Sequence, residues 1–151
     1  MSVFSSMNTT TSALTAQRLR MDVISSNIAN IDTTRARQVN GEWEPYRRKT
    51  VALASSEGTF SSFLNKAMGK SDSPGNGVKV TKINEDYDTP FKLVYNPSHP
   101  DANEDGYVRM PNVDLLKEMV DLISATRSYE ANVTVLNANK SMLTKALEIG
   151  K

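Results

Sequence analysis

Apolar residues recur every seven positions at both ends of the chain, and the segment between them follows another pattern. Near the N-terminus Met7, Leu14, Met21 and Ile28 fall one heptad apart, with Val3, Ile24 and Ile31 on the neighbouring line. Near the C-terminus Leu115, Met119, Leu122, Thr126, Tyr129, Val133, Leu136, Lys140, Leu143 and Leu147 alternate by four and three. A 3.5-residue apolar period marks helices that bury a narrow seam against other helices. The spacing predicts a first helix over 3–31, roughly 44 Å long, and a last helix over 112–149, about 57 Å long, at 1.5 Å per residue. Pro111-Asn112 would open the last helix with Asn112 as its N-cap, and Gly150 would close it.

The first helix has an unusual polar face. Only Arg18, Arg20 and Asp22 carry charge, and the rest is Ser, Thr, Asn and Gln. Solvated helices normally carry i,i+4 Lys/Glu pairs, and a run such as Thr9-Thr10-Thr11 forms helix poorly by itself. That composition fits a helix weak in isolation whose outer face also meets neighbours, where unpaired charges would be costly to desolvate.

The middle is β-rich. Tyr46 to Leu53 is expected as a strand with Pro45 at its start, Gly77 to Ile83 alternates cleanly, and Phe91 to Tyr95 and Gly106 to Met110 complete the set. Ser55 to Asn76 is Ser/Gly-rich and is expected as a loop excursion with one helical turn around Phe60, Phe63, Leu64 and Met68. The fold class expected is α+β: long terminal helices paired as an antiparallel coiled coil, with a small β-rich middle. The division is 1–34, 35–111 and 112–151.

Composition narrows the chemistry. The 151 residues suit one ordinary domain, and a net charge of +1 gives no broad pull toward nucleic acid or an anionic membrane. The absence of cysteine excludes disulfides and thiolate metal sites. No segment approaches the roughly 20 apolar residues of a membrane helix, and no cleavable secretory signal is expected.

The most site-like spacing is Asp101-Ala-Asn103-Glu-Asp105-Gly106, the opening of a calcium loop, but its twelfth position is Asn112 where a bidentate Glu is needed. It is taken as a tight polar turn. His99, the single histidine, stands between prolines and acids with no nucleophile or second ligand beside it. The basic run Arg47-Arg48-Lys49, with Arg35, Arg37, Trp43 and Tyr46, resembles a nucleic-acid patch in miniature, but Glu42, Glu44 and Glu57 offset it. A strand that is either solvated or salt-bridged between subunits is the better reading, and Glu85-Asp86-Asp88 of a neighbouring subunit is the expected source of opposite charge in the second case. No catalytic, cofactor or metal site is expected.

Three blocks carry a resemblance. Ser26-Asn27-Ile28-Ala29-Asn30, at the end of the first helix, is similar to the signature of the axial proteins of the bacterial flagellum. Leu93 to Val108, and Met110 to Asp114 with Glu118 to Val133 and Asn137 to Met142, resemble the basal-body proximal-rod family within that superfamily. Arg35, where other axial proteins often have glycine, and the 55–76 excursion depart from the pattern.

The resemblance implies a structural subunit, not an enzyme, whose terminal helices pack around a central channel. Implied partners are copies of itself, proximal and distal rod subunits, the rod-base adaptor to the MS ring, and the flagellar type III export apparatus. The implied location is the periplasmic rod of the basal body, reached without a cleaved signal peptide. The expected assembly seam, through which the two helices cover each other within one subunit while the charge-poor remainder of the first helix meets other subunits, is Met7, Leu14, Met21, Ile24, Ile28 and Ile31 with Met119, Leu122, Tyr129, Val133, Leu136, Leu143 and Leu147. The competing readings are a soluble helical adaptor that binds a partner helix, and a metal-dependent protein using the Asp101 loop.

Overall fold

A computed structural model describes residues 3–56, 64, 67–68 and 77–149. Two helices frame the chain, α1 (Val3–Ala29) and α2 (Leu115–Ile149). Among the described residues six strands lie between them: β1 (Arg37–Val39), β2 (Glu42–Glu44), β3 (Lys49–Ser55), β4 (Val78–Glu85), β5 (Lys92–Tyr95) and β6 (Tyr107–Met110). They pair as three two-stranded sheets, β1–β2, β3–β4 and β5–β6. The terminal helices pack against each other beside this β-rich middle, as the α+β expectation holds.

The chain forms two compact units. In the first (Met1–Leu19, Ala52–Lys82, Ala125–Lys151), Asn139 Nδ2 donates to Ser6 Oγ across the helices at 3.0 Å. Thr9, Thr10 and Thr15 return their hydroxyls to the carbonyls of Ser5, Ser6 and Thr11, so a Thr-rich helix leaves none of these groups unbonded. Ser12 Oγ donates to Thr9 O and accepts from Val78 N at 3.0 Å, which docks the start of β4 on α1. Gly77 makes that approach possible: its φ is +93°, and a Cβ there would lie 2.4 Å from Ser12 Oγ.

In the second unit (Arg20–Val51, Ile83–Ser124), Arg20 pairs with Asp121 and Asn27 with Glu118. Rising numbers on α1 meet falling numbers on α2, so the pairing is antiparallel. The β5–β6 hairpin sets Leu93 opposite Arg109 and Tyr95 opposite Tyr107.

Several expected boundaries move. α1 stops at Ala29, not Ile31, because Ile31 N turns back to Ile28 O and Asn30 Nδ2 takes the Ser26 carbonyl. α2 begins at Leu115, and its cap is Asp114 rather than Asn112: Asp114 Oδ1 accepts from Leu116 N at 3.0 Å. The strand expected from Tyr46 begins at Lys49. The β1–β2 hairpin was not expected; Asn40 (φ 52°) and Gly41 (φ 90°) form its two-residue turn. The excursion expected over 55–76 lies outside the described residues apart from Ser55, Ser56, Leu64, Ala67 and Met68, and so does Gly150.

Candidate assembly interface and its polar lock

Asn27, buried in α1, uses its whole amide. Nδ2 donates to Lys49 O (2.8 Å) and to Glu118 Oε2 (2.9 Å), while Oδ1 accepts from Lys49 N (2.9 Å) and Tyr46 Oη (3.0 Å). Two donors and two acceptors are all that a primary amide offers. One side chain thereby ties α1 to the entry of β3 and to α2.

Glu118, fully buried, also accepts from Arg48 Nε at 2.5 Å. Arg48 reaches Asp121, which takes Arg20 as well. The Arg48 amide donates to Asn112 Oδ1, and Asn112 Nδ2 donates to the carbonyls of Asp86 and Thr89. That is why Asn112 cannot cap the helix. A carboxylate at zero exposure is tolerable only with partners of this quality.

The rest of the Ser26–Asn30 block serves the same corner. Ser26 Oγ lies 3.3 Å from Tyr46 Oη, and Asn30 accepts from Thr33 Oγ1 at 3.2 Å. Ile28 is half-buried and Ala29 is exposed.

Hydrogen bonds to α2 come from Ser6, Arg20 and Asn27 on α1, a multiple of seven apart: in the first unit Ser6 meets Asn139, and in the second Arg20 meets Asp121 and Asn27 meets Glu118. Met7, Leu14, Met21 and Ile28 follow this α1 line by one residue, hence about 100° around the helix. All four are half-buried, as are Ile31, Leu122, Tyr129, Val133, Leu136 and Leu143. Ile24 is buried, while Met119 and Leu147 are exposed. Leu115, Leu116, Met119, Val120 and Ile123 form an exposed apolar face at the start of α2, with Leu116 75% and Val120 66% exposed. Nothing in the apolar pattern pointed to Glu118, Arg48, Tyr46 or Asn112 as the lock.

The other candidate groups are engaged within the chain. Asp101 accepts from Thr34 Oγ1 (2.7 Å) and Arg35 Nε (2.6 Å), and these bonds hold its carboxyl below the usual range, Arg35 contributing most. His99 Nδ1 accepts from Asp101 N, and Asn103 Oδ1 from Tyr107 N. Glu85 pairs with Arg37 at 3.0 Å and is held low, first by the Tyr87 hydroxyl, so the expectation that it reaches a neighbouring subunit is corrected: its partner is in its own chain. Asp86 is likewise low, chiefly from the Thr89 amide. The Arg37 guanidinium is raised by Tyr87 and Glu44. Among the described residues no group of three or more His, Asp or Glu side chains is placed to hold a metal, and no helix is long and apolar enough to cross a membrane.

Antiparallel terminal helices joined by polar groups, with an apolar face left exposed at the start of α2, define a helix-paired α+β protein. Comparison with known proteins gives the particular family. Residues 7–37 match the family described as "Flagella basal body rod protein", and residues 104–149 match "Flagellar basal body rod FlgEFG protein C-terminal". The chain is 68% identical to the flagellar basal-body rod protein FlgC of Bacillus subtilis, over all of both chains. It is 45% identical to FlgC of Borreliella burgdorferi (99% of this chain, 98% of the relative) and 44% identical to FlgC of Escherichia coli O157:H7 (93% and 92%). The chain belongs to the FlgC family of flagellar basal-body rod proteins.

Proposed function

We propose that the chain is a structural subunit of the proximal rod, the basal part of the flagellar drive shaft, with no enzymatic role. Family membership supports the rod, and the outward apolar lines support the mode of assembly. Hydrogen bonds join the helix pair within the chain and leave Leu116, Met119, Val120 and Ile123 exposed, to be covered by neighbours. Water-exposed apolar contacts at i, i+3, i+4 and i+7 describe a helix face made for another helix.

In this reading residues 1–34 and 112–151 form the rod core around the export channel and 35–111 the outer part. Met7, Leu14, Met21, Ile28 and Ile31, with Met119, Leu122, Tyr129, Val133, Leu136, Leu143 and Leu147, lose their remaining exposure when subunits meet, while Ile24 is already buried within the chain. Neighbours are further copies, other proximal and distal rod subunits and the rod-base adaptor. The subunit passes the type III export apparatus with its N-terminal region uncleaved and takes its place in the periplasmic rod.

The single observation that carries this is the exposed α2 face beside a fully satisfied polar lock. The test is complementation of a strain lacking its own copy. Val120→Asp and Met21→Asp should abolish swimming and rod recovery while the purified variants keep the parent's circular dichroism. Normal motility in both would remove the proposal.

A further inference from the structure

The basic run Arg47-Arg48-Lys49 splits in the structure. Arg48 turns into the lock, while Arg47 and Lys49 line a cavity of about 410 Å³ with Arg35, Arg37, Tyr46 and Glu85. Four cations face one carboxylate there, and that carboxylate is already bonded to Arg37 and Tyr87. Arg35 and Arg37 have Asp101 and Glu44 as further partners outside the lining.

The remaining two cations are only partly compensated: Arg47 shares Glu44 with Arg37, and Lys49 acts on Glu85 through space. Arg47 is clamped between rings, its guanidinium carbon 4.5 Å from the Tyr87 centroid and 4.2 Å from that of Phe91. Its side chain is 15% exposed, its nearest carboxylate oxygen is 3.8 Å away on Glu44, and its Nε is buried with no hydrogen-bond partner. Lys49 has its backbone N–H and carbonyl both fixed by Asn27, and its ammonium lies 5.5 Å from the Tyr46 ring. Its charge helps to hold the Glu85 carboxyl low.

We infer that this cavity is a binding site for a carboxylate, presented by an aspartate or glutamate side chain of a partner protein. Arg47 keeps 15% of its side chain exposed, and a planar carboxylate would meet the guanidinium there, with Lys49 supplying a second charge-assisted bond. Tyr46 and Pro45 line the same cavity and would flank the methylene groups of an incoming side chain. Ring stacking holds the Arg47 guanidinium and the Asn27 amide holds the Lys49 backbone before the ligand arrives; such preorganisation lowers the cost of binding. The inference stands on this cavity and does not need rod assembly.

The test is NMR titration of the full purified chain with three probes: a blocked Ala-Glu-Glu-Ala peptide, sodium acetate and inorganic phosphate. The peptide should shift the amides of Thr33, Ala36 and Arg47 saturably. Lys49→Gln should weaken it about tenfold or more, the loss expected for one charge-assisted bond, and Lys49→Arg should retain it. Saturable acetate binding at the same amides, weaker than the peptide, also supports the site. Acetate binding at least as tight as the peptide would assign the site to a free small carboxylate and overturn the protein-side-chain assignment. Phosphate binding as well as or better than the peptide would mean an adventitious ion only. No shifts, or shifts unchanged in Lys49→Gln, would also overturn the inference.

Discussion

Asn27 on α1 donates to Glu118 on α2 at 2.9 Å, and both side chains are shut off from solvent. This bond joins the two ends of the chain through groups that hydrophobic burial alone would never select. Each member is held by further bonds, Asn27 to Tyr46 and Lys49 and Glu118 to Arg48, so the pairing has one register.

Glu118→Leu should destabilise the chain by about 3 kcal/mol, since it leaves Arg48, already 15% exposed, with only Asp121. Asn27→Ala should cost at least ~2 kcal/mol by stranding the Lys49 amide and Glu118. Urea unfolding of the two single variants and the double should show coupling on the order of 1–3 kcal/mol. Strict additivity would mean the bond carries nothing.

Gly77→Ala should destabilise by roughly 1–3 kcal/mol, because a methyl group would meet Ser12 Oγ and the backbone stands at positive φ. Ser12→Ala in the same chain should recover part of the loss, since the clashing oxygen is removed while the φ cost stays. Thermal melts of the three variants give the comparison.

Acid should weaken the fold. The carboxyls of Asp86 and Asp101 titrate below 3.8 and that of Glu85 below 4.5 in the folded chain, so folding favours their charged forms. Their contribution is complete above those ordinary values and is lost as pH falls through the lowered ones. Urea midpoints should therefore be level with respect to these groups well above pH 4.5 and drop below it. Asp101→Asn should flatten part of that drop; an identical acid profile would show that the Arg35 and Thr34 bonds contribute nothing.

Much of the architecture was readable from periodicity. Both long helices, their antiparallel pairing and the β-rich middle follow from the 3.5-residue pattern and alternating segments such as Val78–Ile83. The phase of the inner stripe was not readable. The hydrogen bonds to α2 come from Ser6, Arg20 and Asn27, one residue before the apolar line, and no hydropathy signal marks these positions. Asn112 and Asp114 are both good capping residues, and the choice depended on Arg48, Asp86 and Thr89 claiming Asn112 from far along the chain. The Asn40-Gly41 turn was a usable signal for β1–β2, hidden by strands as short and polar as Arg37–Val39 and Glu42–Glu44.

The central claim is that polar groups close the helix pair inside the chain while the apolar α2 face is closed by neighbours. Because the chain has no native cysteine, Val120→Cys places a single thiol on that face. Maleimide labelling should modify it fully in the purified subunit and leave it protected in isolated basal bodies. Equal labelling in both states would contradict the claim.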